Sequence, residues 1–160
     1  MARKDVVMLD FKKILVPTDF SAASRQAIPY AREFARLHGG EVVLVHVIEV
    51  PHYPTLFEGT AMVVPPLDES LRAELNRQLE DIARTELRER GVRARVVVRD
   101  GSPRHELCAC ARDEGVDLVV IATHGYTGLR HVFLGSTTEQ VVREAPCPVL
   151  TVRARAEAGA

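Results

Sequence analysis

The chain has 160 residues, 46% of them apolar, with 21 basic and 22 acidic side chains. That length fits one domain able to bury roughly 70% of its unfolded surface, and the near-even charge argues against a general nucleic-acid or anionic-membrane binder. No apolar run approaches the ~20 residues that span a bilayer. The start MARKDVVMLDFKK lacks a signal-peptide core, so a cytoplasmic location is expected.

Residues 12–17 read as a short strand, with Ile14, Leu15 and Val16 in a row. Ser21 then caps a helix predicted to run to about His38, with Ala27, Ile28, Ala31, Phe34 and Ala35 at helical spacing. Gly39-Gly40 ends it. Glu41–Glu49 holds VVLVHVI, apolar except for His46, as a parallel strand buried on both faces reads. The proline-rich stretch 50–67 breaks the rhythm and is expected to be a lid or partner surface, or else disordered.

A helix is predicted from about Asp68 to Arg90, with Leu71, Leu75, Leu79, Ile82 and Leu87 as its stripe and Gly91 after it. Residues 93–99 form a third strand whose flanking arginines suggest a place near the sheet edge. Ser102-Pro103 gives a cap and a first-turn proline for a helix ending at Gly115. Residues 117–122 make the fourth strand, Ser136–Glu144 the last helix, and residues 146–153 the fifth strand. Pro148 cannot donate a ladder hydrogen bond, which puts that strand at an edge. The expected domain is 1–153, with 154–160 a disordered tail.

The cysteines Cys108, Cys110 and Cys147 are odd in number and include no CxxC pair, so no disulfide framework follows. Two residues apart on a helix, Cys108 and Cys110 face different ways. Small buried residues in a reducing compartment are the expectation. His38, His46, His52 and His105 have no metal-site spacing, and His46 reads as a satisfied core histidine.

Alternating strands and helices predict an open five-stranded parallel sheet with helices on both faces, in the order 3-2-1-4-5. Its crevice opens where strands one and four part, at their carboxyl ends. Two polar signals converge there. One is the turn Thr18-Asp19. The other is the stretch from Asp117 to Thr138, DLVVIATHGYTGLRHVFLGSTT, which runs from a strand through a three-glycine loop into a helix start. Amides freed by glycine, beside the positive end of a helix dipole, suit phosphate.

The segments KKILVPTDFS, VVLVHVI, EGVDLVVIATHG, the GST helix start and APCPVLTVR together resemble the universal stress protein family over nearly the whole chain. Its nucleotide-binding branch is similar in carrying a glycine, two residues, a glycine, nine residues, then glycine with serine or threonine. Here Gly125, residues 126–134 and Gly135-Ser136 match, while Ala122 replaces the first glycine. The added methyl is harmless if it points into the core and obstructive if it faces the crevice; the sequence leaves both open.

The resemblance implies a Rossmann-like fold that binds ATP, with or without Mg2+, and has no structural metal. It implies a homodimer. The exposed edge Val149–Val152 independently favours pairing with its twin. Neither nucleic acid nor membrane is an expected partner. Pro17, Thr18 and Asp19 would border the adenosine, with Asp19 near the ribose or adenine or else only supporting the turn, and Val47 would line the adenine side or be plain core. Gly125 and Gly135 would admit phosphate oxygens to amides, or serve turn geometry. Ser136, Thr137 and Thr138 would offer hydroxyls and amides, although Ser136 to Glu139 also spells a capping box. His124 precedes Gly125, where the family tolerates polar variety. Arg130 in the loop would screen phosphate charge or lie solvated.

Three functions stand on this reading: an ATP-binding regulatory switch of the stress response, a dimeric interaction protein that holds no nucleotide, and a slow nucleotide hydrolase. No GxSxG elbow or GxxxxGK[ST] loop supports an efficient enzyme.

Overall fold

In the computed structural model, residues 9–49, 68–123 and 135–153 are described. The stretch 50–67, the loop containing His124, Gly125 and Arg130, and the tail 154–160 therefore lie outside the described residues.

Five apolar runs become five strands: β1 Lys13–Pro17, β2 Glu41–Glu49, β3 Arg93–Gly101, β4 Leu118–Ala122 and β5 Val149–Val152. All pairings are parallel and the order is β3-β2-β1-β4-β5, as expected. The helices are α1 Ala22–Arg25, α2 Ile28–His38, α3 Glu69–Glu86, α4 Pro103–Glu114 and α5 Ser136–Glu144.

Each strand alternates its side chains between two cores. Ile14, Val16, Val42, Leu44, Leu118, Val120 and Val152 pack with Ile28 and Ala31 of α2 and Leu79 and Ile82 of α3. Leu15, Val43, Val45, Val47, Val119 and Ile121 pack on the other face with Leu107 and Ala111 of α4 and Val141 of α5. Burying an aliphatic side chain of this size contributes about 1.5–3 kcal/mol, so the central three strands, nearly all interior, anchor both layers. Cys108 and Cys110 are buried in the second core.

Two helix boundaries differ from the prediction. The first helix is not continuous to His38, because Pro29 stands at the start of α2. Its ring clashes with the carbonyl four residues back and it lacks an N–H to donate, so α1 stops at Arg25. The helix expected to reach Arg90 ends at Glu86 and gives way to a short 3-10 turn, Arg88–Arg90, closed by Gly91 at φ 78. The stripe also narrows: Leu79 and Ile82 are buried, whereas Leu71 is exposed. The predicted fifth strand shortens to Val149–Val152, with Pro148 just outside it accepting the Val119 N–H. Among the described residues no helix is long and apolar enough to cross a membrane.

Candidate functional site

The crevice begins in the strand register. β1 and β4 pair only at Ile14 with Leu118 and at Leu15 with Val119. Asp117 Oδ2 fixes the near end by accepting the Lys12 and Lys13 N–H groups at 2.9 and 2.8 Å. Beyond Leu15 and Val119 the strands are not paired, although β1 continues to Pro17 and β4 to Ala122. An opening at the carboxyl ends results, where open α/β sheets hold ligands.

On the β1 side the chain is locked by hydrogen bonds. The Thr18 N–H donates to Val45 O at 2.9 Å, and Thr18 O faces His46 Nδ1 at 2.8 Å. A carbonyl only accepts, so that His46 nitrogen carries the proton. The buried Thr18 hydroxyl accepts from Phe20 N–H and pairs with Ser24 Oγ at 3.0 Å. With the Ser24 proton directed to Ser21 O, Thr18 is the donor in that pair. Thr18 thus borders the crevice while its hydroxyl is spent inside the turn. Asp19 Oδ1 accepts from Ser21 N–H at 3.0 Å and Ser21 Oγ at 2.5 Å, and Ser21 in turn caps α1. Phe20, at φ 66, takes a backbone conformation that costs a side-chain-bearing residue about 1–2 kcal/mol. Its hydrogen bond to Thr18 and its ring, 4.6 Å from His46, offset that cost.

On the β4 side, α5 is stitched back to the strand it follows. The Gly135 N–H donates to Thr123 O, and the buried Thr138 hydroxyl donates to Ala122 O, both at 2.9 Å. The capping box that Ser136 to Glu139 also spells does not form. Gly135 is the N-cap, Ser136 lies already inside the helix, and no side chain caps the first turn. The Glu139 N–H bonds Gly135 O within the helix. The amides of Ser136, Thr137 and Thr138 precede the first intrahelical bond and stay available to an anion. Gly135 has φ −64, open to any residue. Glycine matters there because an added Cβ would come within 3.3 Å of Thr123 O.

A third wall escaped the sequence reading. α4 leaves the edge strand β3 and crosses to β4, so its first turn arrives at the same opening. Gly101 makes that entry at φ 137, a conformation that favours glycine. Ser102 is the N-cap without a side-chain capping bond, and Pro103 follows in the first turn. Arg104 donates from its guanidinium to Ser136 Oγ at 3.0 Å, joining the starts of α4 and α5. The Gly-Ser-Pro run after an apolar strand was the available signal.

These three walls enclose a cavity of about 760 Å3, inside the roughly 300–1,000 Å3 range of small-molecule sites. Of the residues singled out from the sequence, it brings together Pro17, Thr18, Asp19, Val47, Ala122, Gly135, Ser136, Thr137 and Thr138. Val45, Val47, Leu107 and Ile121 belong to one packed cluster and form its apolar side. Ser102, Arg104, His105 and Ser136 are polar lining residues from the starts of α4 and α5. His124, Gly125 and Arg130 lie outside the described residues. No three His, Cys, Asp or Glu side chains form a metal-binding group among the described residues.

The register also answers where the Ala122 methyl points. Ala122 pairs with Val152, as Val120 pairs with Leu150. Val120, Val152 and Leu150 all pack in the core beside α2 and α3, whereas Ile121 packs beside α4. Alternation puts the Ala122 Cβ on the α2/α3 face, away from α4. Ala122 meets the cavity from β4 with its side chain turned to the other layer.

Residues 10–153 match the model of the universal stress protein family. The chain belongs to the universal stress protein family. It is 34% identical over 155 residues to universal stress protein MJ0577 of Methanocaldococcus jannaschii, covering 89% of this chain and 95% of that one. The solved structure of MJ0577 superposes with a TM-score of 0.74 at 33% identity, covering 92% and 99% of the two chains. Two more distant structures share the fold at 18% identity. One is a universal stress protein in complex with cAMP, with a TM-score of 0.65 and coverage of 91% and 99%. The other is a family member from Arabidopsis thaliana with AMP bound, with a TM-score of 0.61 and coverage of 92% and 94%.

Proposed function

We propose that this universal stress protein is a cytoplasmic, ATP-binding regulatory protein of the stress response, working as a homodimeric switch. One observation carries the reading: an apolar slot and a bare helix start open into one cavity at the parting of β1 and β4. The slot around Val47 and Ile121 suits a flat purine, and the amides of the first α5 turn suit a phosphate. Asp19, at the mouth of the β1 turn, would face the ribose hydroxyls while also holding Ser21. The distant relatives that carry AMP and cAMP support an adenine nucleotide as the ligand class.

Occupancy would act by favouring one of two conformations, which requires a difference in affinity between them. The edge strand β5 is the proposed dimer contact, since no strand among the described residues pairs with its outer edge. Hydrolysis is weak at most in this reading, because Asp19 is already committed to the turn. The test is mass spectrometry of small molecules released from gently purified protein, followed by titration calorimetry with ATP. An adenine nucleotide released on denaturation, and saturable ATP binding by the emptied protein, are expected. An empty protein that takes up no ATP would overturn the proposal.

A further inference from the structure

Arg104 is the only arginine or lysine among the described residues lining the cavity. Its partner is Ser136 Oγ at 3.0 Å, and no carboxylate among the described residues ion-pairs with it. A guanidinium has five N–H donors, so most of them remain for another acceptor. Its reach to Ser136 fixes its location at the start of α5. Of the acidic residues lining the cavity, Asp19 follows β1, whereas Glu49 ends β2 in register with Gly101, just before α4.

The first turn of α5 offers amides for one phosphate group. The next donor outward, across the gap to α4, is Arg104. We infer that Arg104 is the residue that selects nucleotides with two or three phosphates over mono- and cyclic phosphates. It would exchange its hydrogen bond to Ser136 for phosphate oxygens, drawing the starts of α4 and α5 onto the same anion. A guanidinium suits this because it bonds phosphate through two parallel donors. This inference rests on the nucleotide reading of the cavity and narrows it to a ligand class.

The experiment compares wild type, Arg104→Ala and Arg104→Lys by calorimetry with ATP, AMP and inorganic tripolyphosphate. Because Arg104 is exposed, the fold should survive, and circular dichroism checks it. Loss of charge-assisted bonds predicts that R104A weakens ATP and tripolyphosphate binding by about ten- to hundredfold while AMP changes by less than about twofold. R104K should recover part of the loss. Equal weakening for ATP and AMP, or unchanged ATP and tripolyphosphate binding, overturns the inference and leaves the nucleotide site standing. If wild type binds neither ATP nor AMP, the nucleotide reading falls. Arginine-dependent tripolyphosphate binding would then still support Arg104 as a polyphosphate residue, and its absence would reject that too.

Discussion

Ala122→Gly restores the glycine that the family's nucleotide-binding pattern carries at the end of β4, and the sheet register predicts its effect. Ala122 is buried and paired with Val152, and its methyl lies on the face shared with Val120. Removing one buried methyl group costs about 0.8 kcal/mol. The freedom that glycine gains in the unfolded chain costs a further 0.5–1 kcal/mol or so. The sum, about 1–2 kcal/mol, corresponds to a fall in Tm of roughly 2–8 °C for a domain of this size. Affinity for ATP should stay within about twofold, a change of roughly 0.4 kcal/mol, because nothing is removed from the α4 side. Thermal unfolding and calorimetry on the same preparations measure both quantities. Tenfold tighter ATP binding by Ala122→Gly would refute the reasoning, since it would mean that the methyl stood in the ligand's path.

Thr138→Val keeps shape but deletes the buried hydroxyl that donates to Ala122 O. Urea unfolding should show a loss of about 1–3 kcal/mol, with weaker ATP binding as the α5 start loosens. Burial pushes the Cys108, Cys110 and Cys147 thiols up from their ordinary value. Unfolded thiols ionise near pH 8.5 or so while the folded ones stay protonated, so the native state then binds more protons and stability falls as pH rises further. Each thiol contributes a slope of at most about 1.4 kcal/mol per pH unit. Cys110→Ala should flatten the alkaline limb in urea titrations at pH 7 and 9.5, and an unchanged slope would argue against this source. Thr151→Glu, on the exposed side of β5, should raise the monomer fraction in sedimentation without moving Tm, and an unchanged dimer would place the contact elsewhere.

What could be read from the residues depended on how far the controlling interaction reaches along the chain. Buried parallel strands announce themselves through runs such as VVLVHVI, because no polar face interrupts them. The strand order and the convergence of Thr18 with Ser136 then followed from crossover rules. Strictly local spacing misled at two places. Pro29 interrupts a good apolar period, and Ser136 to Glu139 spells a capping box that Gly135 pre-empts. That cap is set from outside the helix, by the Gly135 bond to Thr123 and the Thr138 bond to Ala122.

The orientation of Ala122 and the arrival of Arg104 needed the assembled sheet. One is a matter of register against β5. The other depends on a helix that begins after the far edge strand and ends beside the centre. Arg104 sits in an ordinary polar helix start, and only the path from β3 across to β4 makes it a neighbour of Ser136. A family pattern confined to β1, β4 and α5 therefore describes one anionic subsite, while the charge that could rank its ligands comes from a helix outside that pattern. If that ranking operates, two members with the same glycine spacing should differ in nucleotide preference according to the residue at the position of Arg104. Exchanging that single side chain between them should exchange their ATP-to-AMP affinity ratios. Unchanged ratios would return the ranking to the β4–α5 loop.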